Sequence, residues 1–235
     1  MQLSDCRALI TGASGGIGQA LVERLCQGGA KLLLAGRQLA PLEGLVQRFP
    51  GQVELVCADI TEASGREAVL AAARRFGGMN TLINAAGVNR FSLLEQHDEA
   101  DIAALIGLNV TATLQLTHRL LPLLRHQGRA LVVNLGSTFG SIGYPGFSAY
   151  CASKFALRGF SEALRRELAD TRVSVLYVAP RATRTSMNSA AAQALNVALK
   201  ANVDDPQTVA SAVIHAIAGD RRDLYLGWPE RFFVR

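Results

Sequence analysis

The sequence lacks the features that would mark a metal, secreted or membrane protein. It has four cysteines but no C-x-x-C spacing, and Cys6, Cys26 and Cys57 fall in apolar segments, where we expect reduced, buried thiols. No apolar run reaches the roughly 18 residues that a membrane span needs. The N-terminus lacks the basic-then-apolar order of a signal peptide. We therefore expect a cytoplasmic protein with no metal and no membrane span.

Charged residues are scarce, and lysine especially so. Only 18% of the residues are charged, and the only lysines are Lys31, Lys154 and Lys200. The net charge of +5 and the pI of about 9.3 would suit a nucleic-acid binder. The arginines are scattered, however, without a basic stripe interleaved with aromatics, so we expect no nucleic-acid partner. With 235 residues and 49% hydrophobic content, the chain can bury a full core.

Short apolar runs alternate with helical patterns along most of the chain. Strands are predicted at residues 7–11, 31–35, 53–58, 81–84, 130–135 and 172–178, with a further candidate at 224–226. Helices are predicted after the first strand, at about 62–76, 98–126 and 150–169, and from Asp205 onward. This order predicts an α/β, single-domain Rossmann fold over residues 1–235: a doubly wound parallel sheet of about seven strands with helices on both faces. The exception is an alanine-rich, mobile-looking insertion at about 183–203, interpreted as a substrate loop.

A glycine-rich turn joins the first strand to the first helix. Its candidate ligand-binding residues are Gly12, Ser14, Gly15, Gly16, Ile17 and Gly18. Glycines let the backbone approach a ligand closely, and the free amides at a helix N-terminus favour an anion. The strand, turn and helix together predict a site for the pyrophosphate of a dinucleotide.

The end of the second strand distinguishes between dinucleotides. A carboxylate there would bind the ribose hydroxyls of NAD, but the chain has Arg37 and no acidic residue before Glu43. An arginine can face a 2′-phosphate, so we predict NADP(H) rather than NAD(H) as the cofactor. The alternative is an ordinary surface arginine that follows a strand.

Tyr150 and Lys154 lie one turn apart in a predicted helix, downstream of Ser137. Residues i and i+4 share a helix face, so the Lys154 ammonium can lie beside the Tyr150 phenol. A phenol has a pKa near ~10 in water, and a neighbouring cation would lower it toward the neutral range. By itself, the same pair also occurs by chance on solvated helix faces.

In this order, the residues resemble the short-chain dehydrogenase/reductase family over about residues 5–220. The family pattern Thr-Gly-x-x-x-Gly-x-Gly is present, as is the catalytic set of Ser137, Tyr150 and Lys154. The resemblance implies a structural and proton-relay role for Asn109. It also implies that the cofactor contacts Tyr150, Lys154 and a further set of residues. That set is Asp59, Ile60, Asn84, Ala85, Gly87, Pro180, Thr183 and Thr185. Arg181 departs from the family, which has glycine there.

The resemblance implies an NADP(H)-dependent oxidoreductase that interconverts a carbonyl and a secondary alcohol. In the reducing direction Ser137 would bind the substrate oxygen, Tyr150 would protonate it, and Lys154 would lower the phenol pKa and hold the nicotinamide ribose. The expected substrate pocket includes Asn89, Phe139, Tyr144 and Met187, which suit a medium-sized hydrophobic ketone, aldehyde or 3-oxoacyl compound. A non-catalytic NADP(H)-binding regulatory protein on the same fold is the alternative.

The family's usual subunit contact implies a homodimer or homotetramer formed through the helices at about 98–126 and 150–169. Phe155, Leu157, Phe160 and Leu164 would supply its apolar face, or would instead be buried inside one subunit. The apolar residues at 232–234 would also need a surface to pack on.

Overall fold

The computed structural model describes residues 1–227, which contain a sheet of seven parallel strands. Their spatial order is β3-β2-β1-β4-β5-β6-β7. The strands are β1 (Arg7–Thr11), β2 (Lys31–Gly36), β3 (Val53–Cys57), β4 (Thr81–Asn84), β5 (Ala130–Leu135), β6 (Val173–Ala179) and β7 (Asp223–Tyr225). All seven predicted strands are present, each within about a residue of its predicted ends.

Helices occupy the connections between the strands. They are α1 (Gly16–Gln27), α2 (Ala40–Arg48), α3 (Ala63–Phe76), α4 (Glu99–Ile106), α5 (Thr113–Arg125), α6 (Ser148–Glu167), α7 (Ala190–Ala198) and α8 (Pro206–Ala218). A π-helical segment, Gly107–Ala112, joins α4 to α5 in one continuous helical run. Asp205 caps α8, because its carboxylate accepts a hydrogen bond from the Gln207 amide at 2.8 Å.

Both faces of the sheet are covered, which explains why its strands are apolar throughout. Successive side chains of a strand point to opposite faces. Leu32 and Leu34 accordingly lie in a core that includes α1, α2 and α8, whereas Leu33 lies in a second core that includes α3, α5 and α6. Each fully buried leucine contributes on the order of 2 kcal/mol by leaving water. The doubly wound α/β architecture predicted from the sequence is thus confirmed.

The strand order creates a crevice at the centre of the sheet. The chain builds outward from β1 to β2 and β3, then returns to place β4 on the other side of β1. Where the winding reverses, the loops after β1 and β4 diverge to opposite faces and leave a cleft at the strands' carboxyl ends. The glycine-rich turn and the loops after β4, β5 and β6 all reach this edge.

Three elements differ from the sequence-based expectation. Helix α2 was not predicted, although Leu42, Leu45 and Val46 have helical spacing and pack into the core. The helix predicted over 98–126 contains the π-helical segment. The insertion at 183–203, described above as alanine-rich and mobile-looking, contains α7, and the Ser189 hydroxyl caps its first turn by accepting from the Ala192 amide at 3.2 Å.

Within the described residues, one helical run, Glu99–Arg125, is long and apolar enough to cross a membrane by length and composition. Core helices of globular folds meet the same test. Here α5 packs against α3, β4 and β5. The expectation of no membrane span stays a prediction.

The thiols and the chain end complete the comparison with the sequence. Cys6, Cys26 and Cys151 are buried, but Cys57 is exposed at the end of β3, so its predicted burial was wrong. At this margin of the sheet, the alternation of side chains along the strand places Cys57 on the side that faces solvent. Within residues 1–227, no group of three or more His, Cys, Asp or Glu side chains is placed to hold a metal. The apolar residues at 232–234 lie outside the described residues.

Candidate active site

A cavity of about 370 Å³ opens at the carboxyl ends of the central strands. It is lined by residues from the loops that follow β1, β4, β5 and β6, together with the start of α6 and part of α7. Predicted cofactor residues that line it are Gly12, Gly15, Gly16, Ile17, Gly18, Ala85, Gly87, Tyr150, Lys154, Pro180, Thr183 and Thr185. Residues predicted for the substrate end also line it: Asn89, Phe139, Tyr144 and Met187. One cavity therefore joins the two predicted halves of the site.

The glycine-rich turn is packed so closely that side chains would not fit. Gly12 has φ +71°, and a Cβ there would lie 2.6 Å from the Ala85 backbone. A Cβ on Gly18 would lie 2.1 Å from the Gly12 carbonyl oxygen. Within the described chain, no side chain caps the N-terminus of α1. The first amides of α1 and the positive end of its dipole thus face the cavity, which fits a bound pyrophosphate.

Thr11 fixes this turn against the neighbouring strand. Its hydroxyl accepts hydrogen bonds from the amides of Ala85 and Ala86, at 3.3 and 3.2 Å. Gly16 approaches the loop after β6, because a Cβ there would lie 2.9 Å from Thr185 Cγ2. Thr11 was not among the predicted site residues, although its place in the glycine motif was a usable signal.

Ser137, Tyr150 and Lys154 meet on one wall of the cavity. Ser137 follows β5, and its hydroxyl accepts from the Phe139 amide at 3.1 Å. The Ser137 hydroxyl lies beside the Tyr150 phenol, close enough to lower the phenol pKa. The Lys154 ammonium lies 5.5 Å from the Tyr150 ring centroid and donates to the Leu135 carbonyl at 3.0 Å. The arrangement places a hydroxyl, a phenol and an amine around a single reacting position.

Burial controls the pKa values of this group. It raises the pKa of Tyr150 to about 12, against a smaller lowering by the Ser137 hydroxyl. It lowers the pKa of Lys154 to about 8, since this side chain is only 6% exposed. The expectation that Lys154 brings the Tyr150 pKa toward neutrality is therefore wrong in this structure: desolvation of the phenol dominates. One side of the Tyr150 ring still faces the cavity, so the residue is half-buried.

Asn109 lies behind the cavity wall, in the π-helical segment. Its Oδ1 accepts from the Val88 amide at 2.9 Å, and its Nδ2 donates to the Val88 carbonyl at 2.9 Å and to Ser153 Oγ at 3.1 Å. Gly87 separates it from the lysine: a Cβ on Gly87 would lie 3.2 Å from Asn109 Oδ1 and 3.7 Å from Lys154 Nζ. Such π-helical segments often occur at functional sites. Asn109 thus connects the loop after β4 with α6 beside Lys154.

Five of the predicted cofactor residues lie outside the cavity lining. Ser14 is exposed on the glycine turn, Ile60 is buried, and Arg37 is exposed after β2. The Asp59 carboxylate accepts from the Thr61 amide and hydroxyl, at 2.9 and 2.7 Å. These bonds, with a smaller contribution from Arg37, lower the Asp59 pKa. Arg37 and Asp59 therefore lie near each other beyond the glycine turn.

Asn84 is the fifth of these residues, and it is turned into the fold. It is 3% exposed, and its Nδ2 donates to Thr117 Oγ1 at 3.0 Å and to Asn134 Oδ1 at 2.9 Å. Its side chain therefore joins the sheet to α5 instead of reaching the cavity. Only its backbone position beside Ala85 is close to the cofactor end.

Phe139, Tyr144 and Phe147 form an aromatic wall of the cavity next to Tyr150, and Phe91 packs against this wall. Phe139 stacks on Tyr144 at 5.4 Å and tilts against Phe147 at 5.0 Å, and Phe91 contacts Phe147 at 4.9 Å between ring centroids. Burial raises the pKa of the neighbouring Cys151 thiol, which disfavours its thiolate.

The insertion at 183–203 supplies a further part of the cavity lining, packed against the aromatic wall. Ala192, Leu195 and Leu199, which lie in the predicted substrate loop, line the cavity from α7 and the residue that follows it. Arg181 and Asp204 join the two ends of this insertion through an ion pair at 2.8 Å, with side chains 18% and 13% exposed. The Asp204 amide also donates to the Ala182 carbonyl at 2.8 Å. Arg181, which replaces the family's glycine, thus anchors the insertion.

A larger, more open cavity of about 800 Å³ lies at the opposite edge of the sheet. It is lined by residues 1–5, Gly28, Asn80, residues 127–129 and Ala218. Arg129 is ion-paired there with Asp220. We do not assign the chemistry to it, because the convergent phenol, amine and hydroxyl lie in the smaller cavity.

Known proteins share both the sequence pattern and the fold. The sequence model described as short chain dehydrogenase matches residues 7–196. A 3-oxoacyl-(acyl-carrier-protein) reductase of Vibrio cholerae is 32% identical over 219 residues, which cover 91% of this chain and 90% of that protein.

Solved structures superpose over nearly the whole chain. A short chain dehydrogenase from Burkholderia cenocepacia in complex with NADP has a TM-score of 0.84 at 29% identity, covering 99% of this chain and 92% of that one. A 3-ketoacyl-(acyl-carrier-protein) reductase from Brucella melitensis complexed with NADH has a TM-score of 0.89 at 25% identity, covering 97% of this chain and 99% of that one. The neighbours therefore include proteins with either nicotinamide dinucleotide.

Proposed function

The chain belongs to the short-chain dehydrogenase family and is an oxidoreductase of that family, and we propose that it interconverts a carbonyl and a secondary alcohol with NADP(H). The single observation that carries the proposal is the meeting of Ser137, Tyr150 and Lys154 in the cavity that the glycine-rich turn also lines. A binding protein would need the turn alone. The three polar side chains at one position are suited to proton transfer at a substrate oxygen.

A nicotinamide cofactor fits the glycine-rich turn, where added side chains would collide with the backbone. Gly15, Gly16 and Ile17 would hold its pyrophosphate through the amides at the start of α1. Bound there, the cofactor supplies or accepts a hydride at the reacting carbon. Arg37 would bind a 2′-phosphate, and no carboxylate lies between the end of β2 and Glu43, which supports NADP(H) over NAD(H). Asp59 would contact the adenine.

The chain's own residues would manage the substrate oxygen. Ser137 would donate a hydrogen bond to it, and Tyr150 would give it a proton during reduction or take one during oxidation. Lys154 would stabilise the developing phenolate and hold the nicotinamide ribose. Asn109, which holds the backbone of Val88 on both sides, would keep the neighbouring loop open for a proton path toward Lys154.

The cavity walls support an uncharged, hydrophobic substrate. Aromatic rings and the aliphatic side chains of Ala192 and Leu195 pack together and line the cavity. Among the described residues, the charged side chains that line it are Lys154 and Arg181, and Arg181 is ion-paired with Asp204. A medium-sized hydrophobic ketone, aldehyde or 3-oxoacyl compound would bury apolar surface against these side chains.

We also propose that residues 1–235 act as one domain in a cytoplasmic homodimer or homotetramer. Phe155 is 44% exposed on α6 and could support such a contact. Leu157 and Leu164 are buried within the subunit, and Phe160 packs against its core, so for these three the alternative of internal packing holds. Multi-angle light scattering measures the mass directly, and a monomer at micromolar concentration would contradict the assembly.

A carbonyl panel tests the function. Purified protein should oxidise NADPH in the presence of hydrophobic ketones, aldehydes or a 3-oxoacyl thioester, and the Tyr150→Phe variant should lose this turnover while still binding NADPH. Binding of NADPH without turnover of any panel member, by parent and variant alike, would instead favour the non-catalytic regulatory protein.

A further inference from the structure

Tyr177 lies directly beneath the loop that carries Ser137. It belongs to β6 and is fully buried, and its hydroxyl donates a hydrogen bond to the Ser137 carbonyl at 3.3 Å. Burial raises its pKa, so the phenol stays protonated and remains a donor wherever the enzyme is folded. A buried tyrosine hydroxyl therefore contacts the backbone of a proposed catalytic residue without itself reaching the cavity.

The loop is shaped around this ring. Gly136 and Gly140 lie on either side of Ser137 in sequence, and both press on Tyr177. A Cβ on Gly136 would lie 2.3 Å from Tyr177 Cε2, and one on Gly140 would lie 2.4 Å from the Tyr177 hydroxyl and 2.8 Å from the Lys154 carbonyl oxygen. Neither glycine has a positive φ, so close approach, and not backbone conformation, explains both. The ring is thus wedged between the Ser137 loop and the backbone of α6 at Lys154.

Tyr177 is also held by Tyr225, which in turn contacts Arg158. Tyr225 in β7 contacts its ring edge-on, with centroids 6.1 Å apart. Arg158 lies 5.9 Å over the Tyr225 ring and donates to Ser141 Oγ at 2.6 Å. The loop from Gly136 to Ser141 is therefore fixed near both ends by one connected group of side chains.

We propose that Tyr177 is a positioning residue for Ser137. Its hydroxyl and ring hold the loop that carries Ser137 in the position from which the serine hydroxyl reaches the substrate oxygen. The proposal rests on the proposed catalytic role of Ser137. A catalytic hydroxyl must be held within about 0.5 Å of its productive position, and small displacements cost rate steeply. Tyr177 acts through the backbone of Ser137, so its removal should lower the catalytic constant more than it raises the Michaelis constant.

The test compares Tyr177→Phe with a matched loss of a buried hydroxyl elsewhere. Tyr177→Phe should reduce kcat about tenfold, the loss expected from one buried hydrogen bond, with the NADPH dissociation constant unchanged within about twofold. The control is Ser161→Ala on α6, which removes a fully buried hydroxyl bonded to Leu157 and Asn134. It should lower the melting temperature to a similar extent but leave kcat unchanged. Equal kcat values for Tyr177→Phe and the parent would overturn the proposal.

A double-mutant cycle separates positioning from a general structural effect. In a Ser137→Ala background, Tyr177→Phe should cause no further loss of kcat, because the group it positions is gone. A further tenfold loss in that background would contradict the proposal while leaving the function intact. If Ser137→Ala alone kept parental turnover, the proposed function of the serine would fail instead. The two failures are thus distinguishable.

A variant of Tyr225, which contacts Tyr177, tests the same proposal if Tyr177→Phe does not fold. Tyr225 is only half-buried, so Tyr225→Leu should fold while removing the ring that Tyr177 contacts. Tyr225→Leu should lower kcat by about threefold, and it should again have no effect on kcat in the Ser137→Ala background. Circular dichroism checks the fold of every variant. An unchanged kcat in folded Tyr225→Leu, together with a Tyr177→Phe that does not fold, would count against the positioning role.

Discussion

The Lys154 ammonium lies 5.5 Å from the centroid of the Tyr150 ring, and burial moves their pKa values apart, to about 8 for the amine and about 12 for the phenol. Both groups are thereby pushed toward their neutral forms. Because the resting site holds a protonated phenol, it is ready to donate a proton in reduction. The amine, by contrast, titrates within the range in which enzymes work.

Lys154→Met should change how stability depends on pH. Burial lowers the folded-state pKa of Lys154 below its ordinary value of 10.5. Between these two pKa values the unfolded chain therefore binds more protons than the folded chain. The free-energy cost of burying the charged amine is largest below about pH 8 and falls as the pH rises. Relative to the methionine variant, the parent should gain on the order of 1–2 kcal/mol of unfolding free energy between about pH 7 and pH 9.5. Urea unfolding at both pH values measures this, and parallel curves would contradict it.

The pH dependence of reduction should follow the same amine. Tyr150 keeps its proton to about pH 12, whereas Lys154 loses its charge above about pH 8. We expect kcat/KM for carbonyl reduction to fall above about pH 8, because a neutral amine no longer stabilises the phenolate. In a Lys154→Arg variant, residual activity should be flat over this range, since a guanidinium does not titrate there. A decline of the same shape in both proteins would assign the pKa to another group.

Arg37→Ala should reverse the cofactor preference. Loss of a charge-assisted contact to a 2′-phosphate should raise the KM for NADPH about 10- to 100-fold and leave that for NADH within about threefold. Arg74→Ala, an exposed arginine on α3, is the matched control and should change neither constant. Steady-state kinetics with both cofactors measures the ratio. An unchanged preference in Arg37→Ala would refute the assignment of NADP(H) to this residue.

Gly12→Ala and Gly44→Ala should have opposite effects on stability. Gly12 has φ +71° and no room for a Cβ, so alanine there should cost more than about 3 kcal/mol and abolish NADPH binding. Gly44 lies in α2 with open space around it, so alanine should stabilise the protein by about 0.5–1 kcal/mol. Thermal unfolding and fluorescence titration with NADPH measure both. Similar melting temperatures for the two variants would mean that the turn is less tightly packed than described.

What the sequence predicted well depends on local spacing. The glycine turn lies between a strand and a helix that are recognisable by themselves, and Tyr150 and Lys154 share a face because they are one turn apart. The crevice follows from the order of the strands. These features need no knowledge of distant contacts.

What the sequence could not predict depends on partners far along the chain. Asn84 is held by Thr117 and Asn134, which lie 33 and 50 positions away, so the motif alone could not show that its amide faces inward. Tyr177 reaches Ser137 across 40 positions. The raised pKa of Tyr150 arises from burial by several elements, whereas the sequence showed only its neighbouring cation. Arg181 and Asp204 form an ion pair only because the insertion returns to its starting point.

Transfer of a deuteride tests the central claim most directly. The protein is incubated with NADPH that carries deuterium at C4 of the nicotinamide and with a carbonyl compound that it turns over, and the alcohol is analysed by mass spectrometry and NMR. We predict deuterium at the carbinol carbon with the parent, and a rate of label transfer lower by at least about 10²-fold with Tyr150→Phe, the usual contribution of a general acid. Label transfer at the parental rate by Tyr150→Phe, or alcohol formed without deuterium at that carbon, would contradict the account.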